Sequence, residues 1–277
     1  MPELPEVEMV TRHLHELITR RTIIKAQLKR PGLAPAHSPQ QFAALLRNGT
    51  VSEVGRRGKH ILIHFDCART LIVHLRMTGR FFYLSAAAPD APHTHAVFHL
   101  DNGRRLSFAD QRHFGMMLIV QAEEVNTCRP LRDLAPEPFS ADFSPAYLYR
   151  TLQASRQAIK LAVLDQTKVL GLGNIYASEA LHRAGINPQL PAAQLSRPRA
   201  ARLHGEIIKV LAEAIEAGST LNTDPQQLDA SYAGGQYETL ARVYERAGLP
   251  CPKCQSLIRR FTQGARSTYY CPRCQRQ

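Results

Sequence analysis

The chain has 277 residues, 44% of them hydrophobic and 21% charged, an ordinary globular composition with enough length for two domains that each bury most of a core. No run of 18 or more apolar residues exists, which excludes a helical membrane span, and the opening MPELPEVEMV has acids where a secretory signal needs Lys or Arg ahead of an apolar stretch, so a cytoplasmic protein is expected. Lys and Arg number 35 against 23 Asp and Glu, a formal charge of +12, and such an excess suits a polyanionic partner.

Leu4, Val7, Val10, Leu14, Leu17 and Ile18 recur at helical spacing, with Glu3, Glu6 and Glu8 early, where the helix dipole favours acids; a first helix is predicted there. From about Thr22 to Val120 the pattern becomes that of short strands: Ile23–Leu28, His60–Phe65, Thr70–Leu75, Ala96–Leu100, Arg105–Phe108 and Met116–Val120. Asp101-Asn102-Gly103 is a hairpin signal between two of them. Several short strands in one region predict an antiparallel sandwich or barrel. The connector Leu134-Ala135-Pro136-Glu137-Pro138-Phe139 marks a boundary, and helical periods follow over Ser144–Gln153, Gln157–Leu164, Ile175–Ala184 and Arg197–Ala217. The second and third of these flank Val169-Leu170-Gly171-Leu172-Gly173-Asn174. Its glycines permit left-handed turns and place backbone N–H groups at a helix N-terminus, a ready anion site; glycine turns between helices also serve structure alone. The class is α+β.

Four of the six cysteines fall as Cys251-Pro-Lys-Cys254 and Cys271-Pro-Arg-Cys274, sixteen residues apart. Each two-residue gap lets both thiolates turn toward one tetrahedral ion, so the spacing reads as one structural Zn2+ on Cys251, Cys254, Cys271 and Cys274. Four thiolates leave no open coordination position, and the metal is scaffolding. A disulfide framework belongs to secreted chains, and a thioredoxin-like pair needs a single CxxC beside a strand and helix. Cys67 and Cys128 are isolated and read as small packing residues. Residues 241 to 277 hold eight basic side chains against the single acid Glu245. Between the knuckles RRFTQGARSTYY reads as two short strands around Gln263-Gly264, a hairpin that presents Arg266 near its turn to phosphate.

The second residue, Pro2, is of the small kind that commonly permits loss of the initiator Met, which would expose a secondary amine. Such an amine attacks an electrophilic carbon to give an iminium that stays charged without a proton, the logic of Schiff-base lysines. Glu3 is adjacent and Glu6 one helical turn on, so one carboxylate can move protons while the other orients it. The same residues also suit a plain helix start, with Pro at the first position and acids on the dipole.

MPELPEVE at the start, HLRMTGRF, LDQTKVLGLGNIYASEAL and the four-cysteine hairpin ending in CPRCQ, in that order over essentially the whole chain, resemble the formamidopyrimidine-DNA glycosylase (Fpg) family of the Fpg/Nei group. The resemblance implies an N-terminal antiparallel β-sandwich with an N-terminal helix (1–133), a helix-two-turn-helix DNA-binding domain (134–240) and a zinc finger (241–277). It implies a bifunctional base-excision repair enzyme that removes oxidised purines, 8-oxoguanine and formamidopyrimidines, and cleaves the strand by β,δ-elimination. The partner would be double-stranded DNA with oxidised bases or abasic sites, bound by a monomer. Carried over, Pro2 is the nucleophile at C1′, Glu3 the general acid/base, Glu6 its supporting acid and Lys59 a catalytic or lesion-contacting hairpin lysine. Met77, Arg112 and Phe114 match the residues that fill the gap left by an everted nucleotide, with Arg112 facing the opposite cytosine. Unstacking costs a few kcal/mol, which inserted side chains partly replace; on pattern alone Met77 and Phe114 would read as core. Asn174 and Arg266 match phosphate-gripping positions, with Lys160 beside them. His113 stands where the family often has a second arginine, a substitution that weakens one phosphate contact or makes it pH-sensitive. Gly218–Tyr237 keeps Gly234-Gly235 and Tyr237 but otherwise departs from the family's lesion-covering loop, so none of its residues is assigned. The sister Nei group, directed at oxidised pyrimidines, and a DNA-binding homologue without catalysis are the competing readings; Leu4, Val7 and the Met77/Arg112/Phe114 set resemble Fpg more than Nei.

Overall fold

Helix α1 (Leu4–Ile18) forms where the apolar periodicity places it, with Val7, Val10, Leu14 and Ile18 buried along one stripe and Glu6 in its first turn. The computed structural model describes residues 2–220, 222–224, 227–231 and 236–276. Contacts divide the chain into two units. One comprises Pro2, Glu6–Arg132 and Gly218–Gly235; the other comprises Glu3–Pro5, Asp133–Ala217 and Gln236–Gln277. Among the described residues, no helix is long and apolar enough to cross a membrane.

The first unit carries β1 (Ile23–Leu28), α2 (Pro39–Leu46), β2 (Val51–Arg57), β3 (His60–Phe65), β4 (Arg69–His74), β5 (Gly79–Ser85), β6 (Thr94–Leu100), β7 (Arg104–Asp110) and β8 (Met116–Gln121). They form two antiparallel four-stranded sheets, ordered β1-β6-β7-β5 and β2-β3-β4-β8. Buried residues of both sheets and of α1 and α2 make one apolar cluster, including Phe42, Phe81, Phe98 and Phe108, so the predicted sandwich is what forms. The predicted strands all occur, with ends shifted by two residues or fewer. Strands β2 and β5 were not read from the sequence: β2 carries Glu53, Arg56 and Arg57 where an apolar run would be, and β5 is half-exposed along most of its length. Helix α2 starts on a reciprocal cap, the Ser38 hydroxyl accepting from the Gln41 N–H and the Gln41 side chain accepting from the Ser38 N–H. Residues of β9 (Asn222–Asp224) and β10 (Gln227–Ser231) pair antiparallel within the same unit. Gly234 and Gly235, singled out in the sequence, lie outside the described residues, as does Met1.

In the second unit α3 (Pro145–Gln153), α4 (Ile159–Leu164), α5 (Asn174–Arg183), α6 (Arg197–Glu216) and the short α7 (Tyr237–Leu240) surround a second apolar cluster that includes Leu4, Tyr176 and Tyr237. Strands β11 (Arg259–Gln263) and β12 (Arg266–Tyr270) make the C-terminal hairpin. Its two-residue turn, Gly264-Ala265, has φ of 55° and 58°, so both central residues are left-handed as a tight hairpin requires.

Candidate catalytic and nucleic-acid-binding site

The turn Gly171-Leu172-Gly173-Asn174 delivers the first backbone N–H groups of α5 to one anion, and that anion belongs to the chain itself. The Glu3 carboxylate, 2% exposed, accepts from Gly173 N–H (2.6 Å), Ile175 N–H (2.9 Å) and Tyr176 N–H (3.3 Å). A helix N-terminus offers unpaired donors and the positive end of the dipole, and a carboxylate satisfies both. Both glycines are required by close approach. A Cβ on Gly173 would lie 2.5 Å from Glu3 Oε1, and one on Gly171, at φ 86°, would lie 2.5 Å from Leu4 Cδ1. The Leu4 N–H also donates to the Gly171 carbonyl at 3.0 Å. The sequence showed an anion site at this turn but not its occupant, because residues 3 and 173 share no local pattern.

The same helix start touches the C-terminal hairpin. Asn174 Nδ2 donates to the Ser267 carbonyl at 3.0 Å. Lys160 of α4, fully buried, donates to the same carbonyl at 2.9 Å and to Thr268 Oγ1 at 2.8 Å. Burial and the nearby Arg266 push the Lys160 ammonium down to about 8, against the opposing pull of Glu3. A Cβ on Gly264 would meet Leu161 at 2.8 Å, so the hairpin turn packs directly on α4. Lys160 therefore holds the hairpin, while Arg266 at the start of β12 is exposed.

Below the hairpin, the Sγ atoms of Cys251, Cys254, Cys271 and Cys274 all lie within 4.8 Å of one another. Two of the separations are 3.4 and 3.9 Å, close to the roughly 3.8 Å edge of a tetrahedron with ~2.3 Å zinc–sulfur bonds. The donor set fits one structural zinc. His182 of α5, 2% exposed, places Nε2 3.4 Å from Cys251 Sγ, the kind of outer contact that orients a ligating thiolate.

In the first unit, Glu6 of α1 is 2% exposed and accepts from the Thr220 hydroxyl (2.9 Å) and N–H (3.3 Å), fastening the chain just after Gly218. Lys59 occupies the Gly58-Lys59 turn between β2 and β3, where Gly58 has φ 56°; at 5% exposure it is buried even though it sits at a hairpin apex. Glu8 ties Arg12 and Arg56 together at 2.8 Å each, and Arg56 also donates to the Gly58 carbonyl. Beneath this turn His60 and His74 meet edge to face, 4.6 Å between ring centres. Burial is the main cause that pushes them down to about 4 and about 2, so both rings are neutral.

Met77 and Phe114 are 38% and 54% exposed, which excludes the core role that pattern alone suggested. Their loops are joined by Thr78 and Asp110. Asp110, 1% exposed at the end of β7, accepts from the Thr78 hydroxyl, the Gly115 N–H (2.6 Å) and the Arg112 N–H (3.3 Å). Burial opposes its ionisation, but these bonds and one from the Phe114 N–H hold its carboxyl below the usual range. Thr78 Oγ1 accepts from Arg112 N–H at 3.1 Å, and the Arg112 guanidinium lies 5.1 Å over the Phe114 ring. Sequence reasoning missed Thr78, Asp110 and His182, since none falls in a periodic or spaced pattern.

The candidate residues thus gather in two groups. Glu3, Lys160, Asn174, Arg266 and the four cysteines share the second unit; Pro2, Glu6, Lys59, Met77, Arg112 and Phe114 share the first. Family models match three stretches of the chain: the formamidopyrimidine-DNA glycosylase N-terminal domain over residues 1–117, its H2TH domain over 134–225, and the zinc finger found in FPG and IleRS over 248–277. A formamidopyrimidine-DNA glycosylase of Desulforamulus reducens is 41% identical, the match covering 100% of this chain and 99% of the relative. Two solved structures of the Lactococcus lactis Fpg, each 31% identical, resemble the fold closely. One is a complex with abasic-site DNA (TM-score 0.92, covering 99% of this chain and 100% of the other); the second is a complex with DNA containing an oxidised pyrimidine (TM-score 0.91, 100% of both). The chain belongs to the formamidopyrimidine-DNA glycosylase family.

Proposed function

We propose that the protein is a bifunctional DNA glycosylase and abasic-site lyase that excises oxidised purines, 8-oxoguanine and formamidopyrimidines, through a Schiff base on Pro2. The observation that carries this reading is the Glu3 carboxylate, fixed on the first N–H groups of α5 immediately after the one residue whose backbone nitrogen is a secondary amine once Met1 is removed. The Pro2 nitrogen attacks C1′ of the damaged nucleotide, and the glycosidic electron pair leaves with the base. Glu3 takes the proton from that nitrogen and returns it to O4′ as the C1′–O4′ bond opens, leaving the iminium. The iminium then acidifies C2′; loss of that proton expels the 3′ phosphate oxygen, and a second elimination expels the 5′ one. Water finally releases the sugar fragment from Pro2.

Glu3 suits this proton traffic because its oxygens are held by fixed donors and need no reorganisation. Glu6 steadies the chain at Thr220, and Lys59 supplies a positive charge at the hairpin apex. Exposed Met77, Arg112 and Phe114 fill the gap left in the duplex by an everted nucleotide, and Asn174 and Arg266 grip phosphate. The zinc, held by Cys251, Cys254, Cys271 and Cys274, keeps the arginine-bearing hairpin folded. Because a Lactococcus lactis relative is crystallised with an oxidised pyrimidine, the spectrum is tested directly. Duplexes bearing 8-oxoguanine opposite cytosine, thymine glycol, or an abasic site are incubated with the protein and the cleaved ends are analysed. Cleavage of the first with phosphate at both ends of the gap is the expected result. Cleavage of thymine glycol alone would move the substrate class to oxidised pyrimidines, and no cleavage of any duplex would leave a DNA-binding homologue.

A further inference from the structure

The loop that carries Arg112 and Phe114 has a feature that the proposed reaction does not use. His113 between them is exposed and sits in the left-handed region at φ 62°, a conformation that a non-glycine residue keeps only when its surroundings hold it. Three contacts do so. Its N–H donates to the Asp110 carbonyl (3.3 Å), its own carbonyl accepts from Arg30 Nη1 (3.2 Å), and its ring Nδ1 lies 2.8 Å from His95 Nε2. The tautomers of this pair follow from a third atom. His95 Nε2 is also 2.8 Å from the Asp110 carbonyl oxygen, which can only accept, so His95 Nε2 carries the hydrogen. His113 Nδ1 must therefore present its lone pair to that same hydrogen, which the Asp110 carbonyl and His113 Nδ1 share. Protonated His113 would bring an N–H against an N–H, and the contact would open.

Resting on the DNA-repair reading above, we propose that His113 is a positioning residue for the inserting side chains Arg112 and Phe114, pinned by His95 only while its own ring is neutral, so that acid loosens the loop and lowers discrimination of damaged from intact DNA. The groups that face His113 are His95 from β6, His93 just before β6 with its ring 6.0 Å away, Arg30 after β1, Asp110 from β7 and its chain neighbour Arg112. Desolvation and then the Arg30 and His95 charges hold the His113 pKa below 6.5, with Asp110 pulling the other way, so the pin is closed at neutral pH and opens in the acid range.

The test measures, by fluorescence anisotropy at fixed salt, the dissociation constants for a duplex bearing a tetrahydrofuran abasic analogue and for the undamaged duplex. The ratio of the two constants is compared at about pH 7.5 and about pH 5.5. In the wild type this ratio falls about fivefold or more on acidification. In His113→Gln, which cannot take up a proton, it stays the same at both values, and in His95→Phe it is already low at the higher pH. Melting curves confirm that each variant is folded. A flat ratio in the wild type, or an equal fall in His113→Gln, would overturn the proposal. Absence of any preference for the abasic duplex at either pH would instead remove the DNA-repair reading on which it rests.

Discussion

Glu3 and Asp110 are both carboxylates less than 3% exposed, and both sit under converging backbone N–H groups, yet their surroundings differ in kind. Glu3 faces the start of α5, where the donors are the unpaired N–H groups of a regular helix and the neighbouring residue in the chain is Pro2. Asp110 faces an irregular loop, where its donors are Arg112, Gly115 and Thr78, and what it steadies are side chains that project into solvent. A group that must move a proton needs its own oxygens fixed. A group that must enter a duplex needs exposure, so the fixing passes to a buried neighbour. The first arrangement keeps the proposed catalytic residue buried, and the second leaves the proposed DNA-contacting residues exposed above a buried support.

The largest expected effect breaks the first arrangement. Glu3→Gln keeps the shape but turns one oxygen into a donor facing backbone N–H groups, and single-turnover excision should fall about 10²–10⁴-fold while the protein stays folded. A loss within a few-fold would show that Glu3 moves no proton. Gly173→Ala tests the same site from the other side: its Cβ displaces the carboxylate, and activity should drop on the order of 10²-fold, whereas Gly205→Ala, with open space around it, should be unaffected.

Asp110→Ala breaks the second arrangement by stranding its buried donors, and denaturant unfolding should report a loss of about 3 kcal/mol. Phe114→Ala sharpens the contrast. Stability should stay within about 0.5 kcal/mol of the wild type, while affinity for abasic-analogue DNA weakens ~10-fold or more through lost stacking. If both quantities fall together, Phe114 is a packing residue. A pH-dependent effect on stability comes from His60 and His74, which stay neutral in the fold down to about 4 and about 2. Below about 6.5 the unfolded chain binds protons that the folded chain refuses, so stability drops on acidification by up to ~1.4 kcal/mol per pH unit for each ring. Melting of His60→Phe between pH 6.5 and 4 should show a shallower fall than the wild type.

What was legible in the sequence and what was not follows the same division. The zinc cysteines are close in sequence and their spacing is the geometry, so they were readable outright, as were α1 and six of the eight sandwich strands, β1 and β8 at the sheet edges among them. Glu3 was readable as a chemical group but not as the cap of α5, since the bond spans 170 residues of chain. Lys160 reads as one more basic residue beside a glycine turn; only packing shows that its charge is spent on Ser267 and Thr268. Met77 and Phe114 look like core in any hydropathy pattern, and their exposure is a tertiary fact. Asp110 ends a strand as many aspartates do, and nothing local marks the loop it organises.

In the proposed mechanism the chain's own N-terminal amine, managed by Glu3, is the nucleophile. Borohydride trapping on a duplex with 8-oxoguanine opposite cytosine, followed by peptide mapping of the adduct, tests it most directly. A covalent complex whose adduct maps to Pro2, with Met1 absent, is the expected result. Strand cleavage with no trapped complex, or an adduct on a lysine such as Lys59, would contradict it.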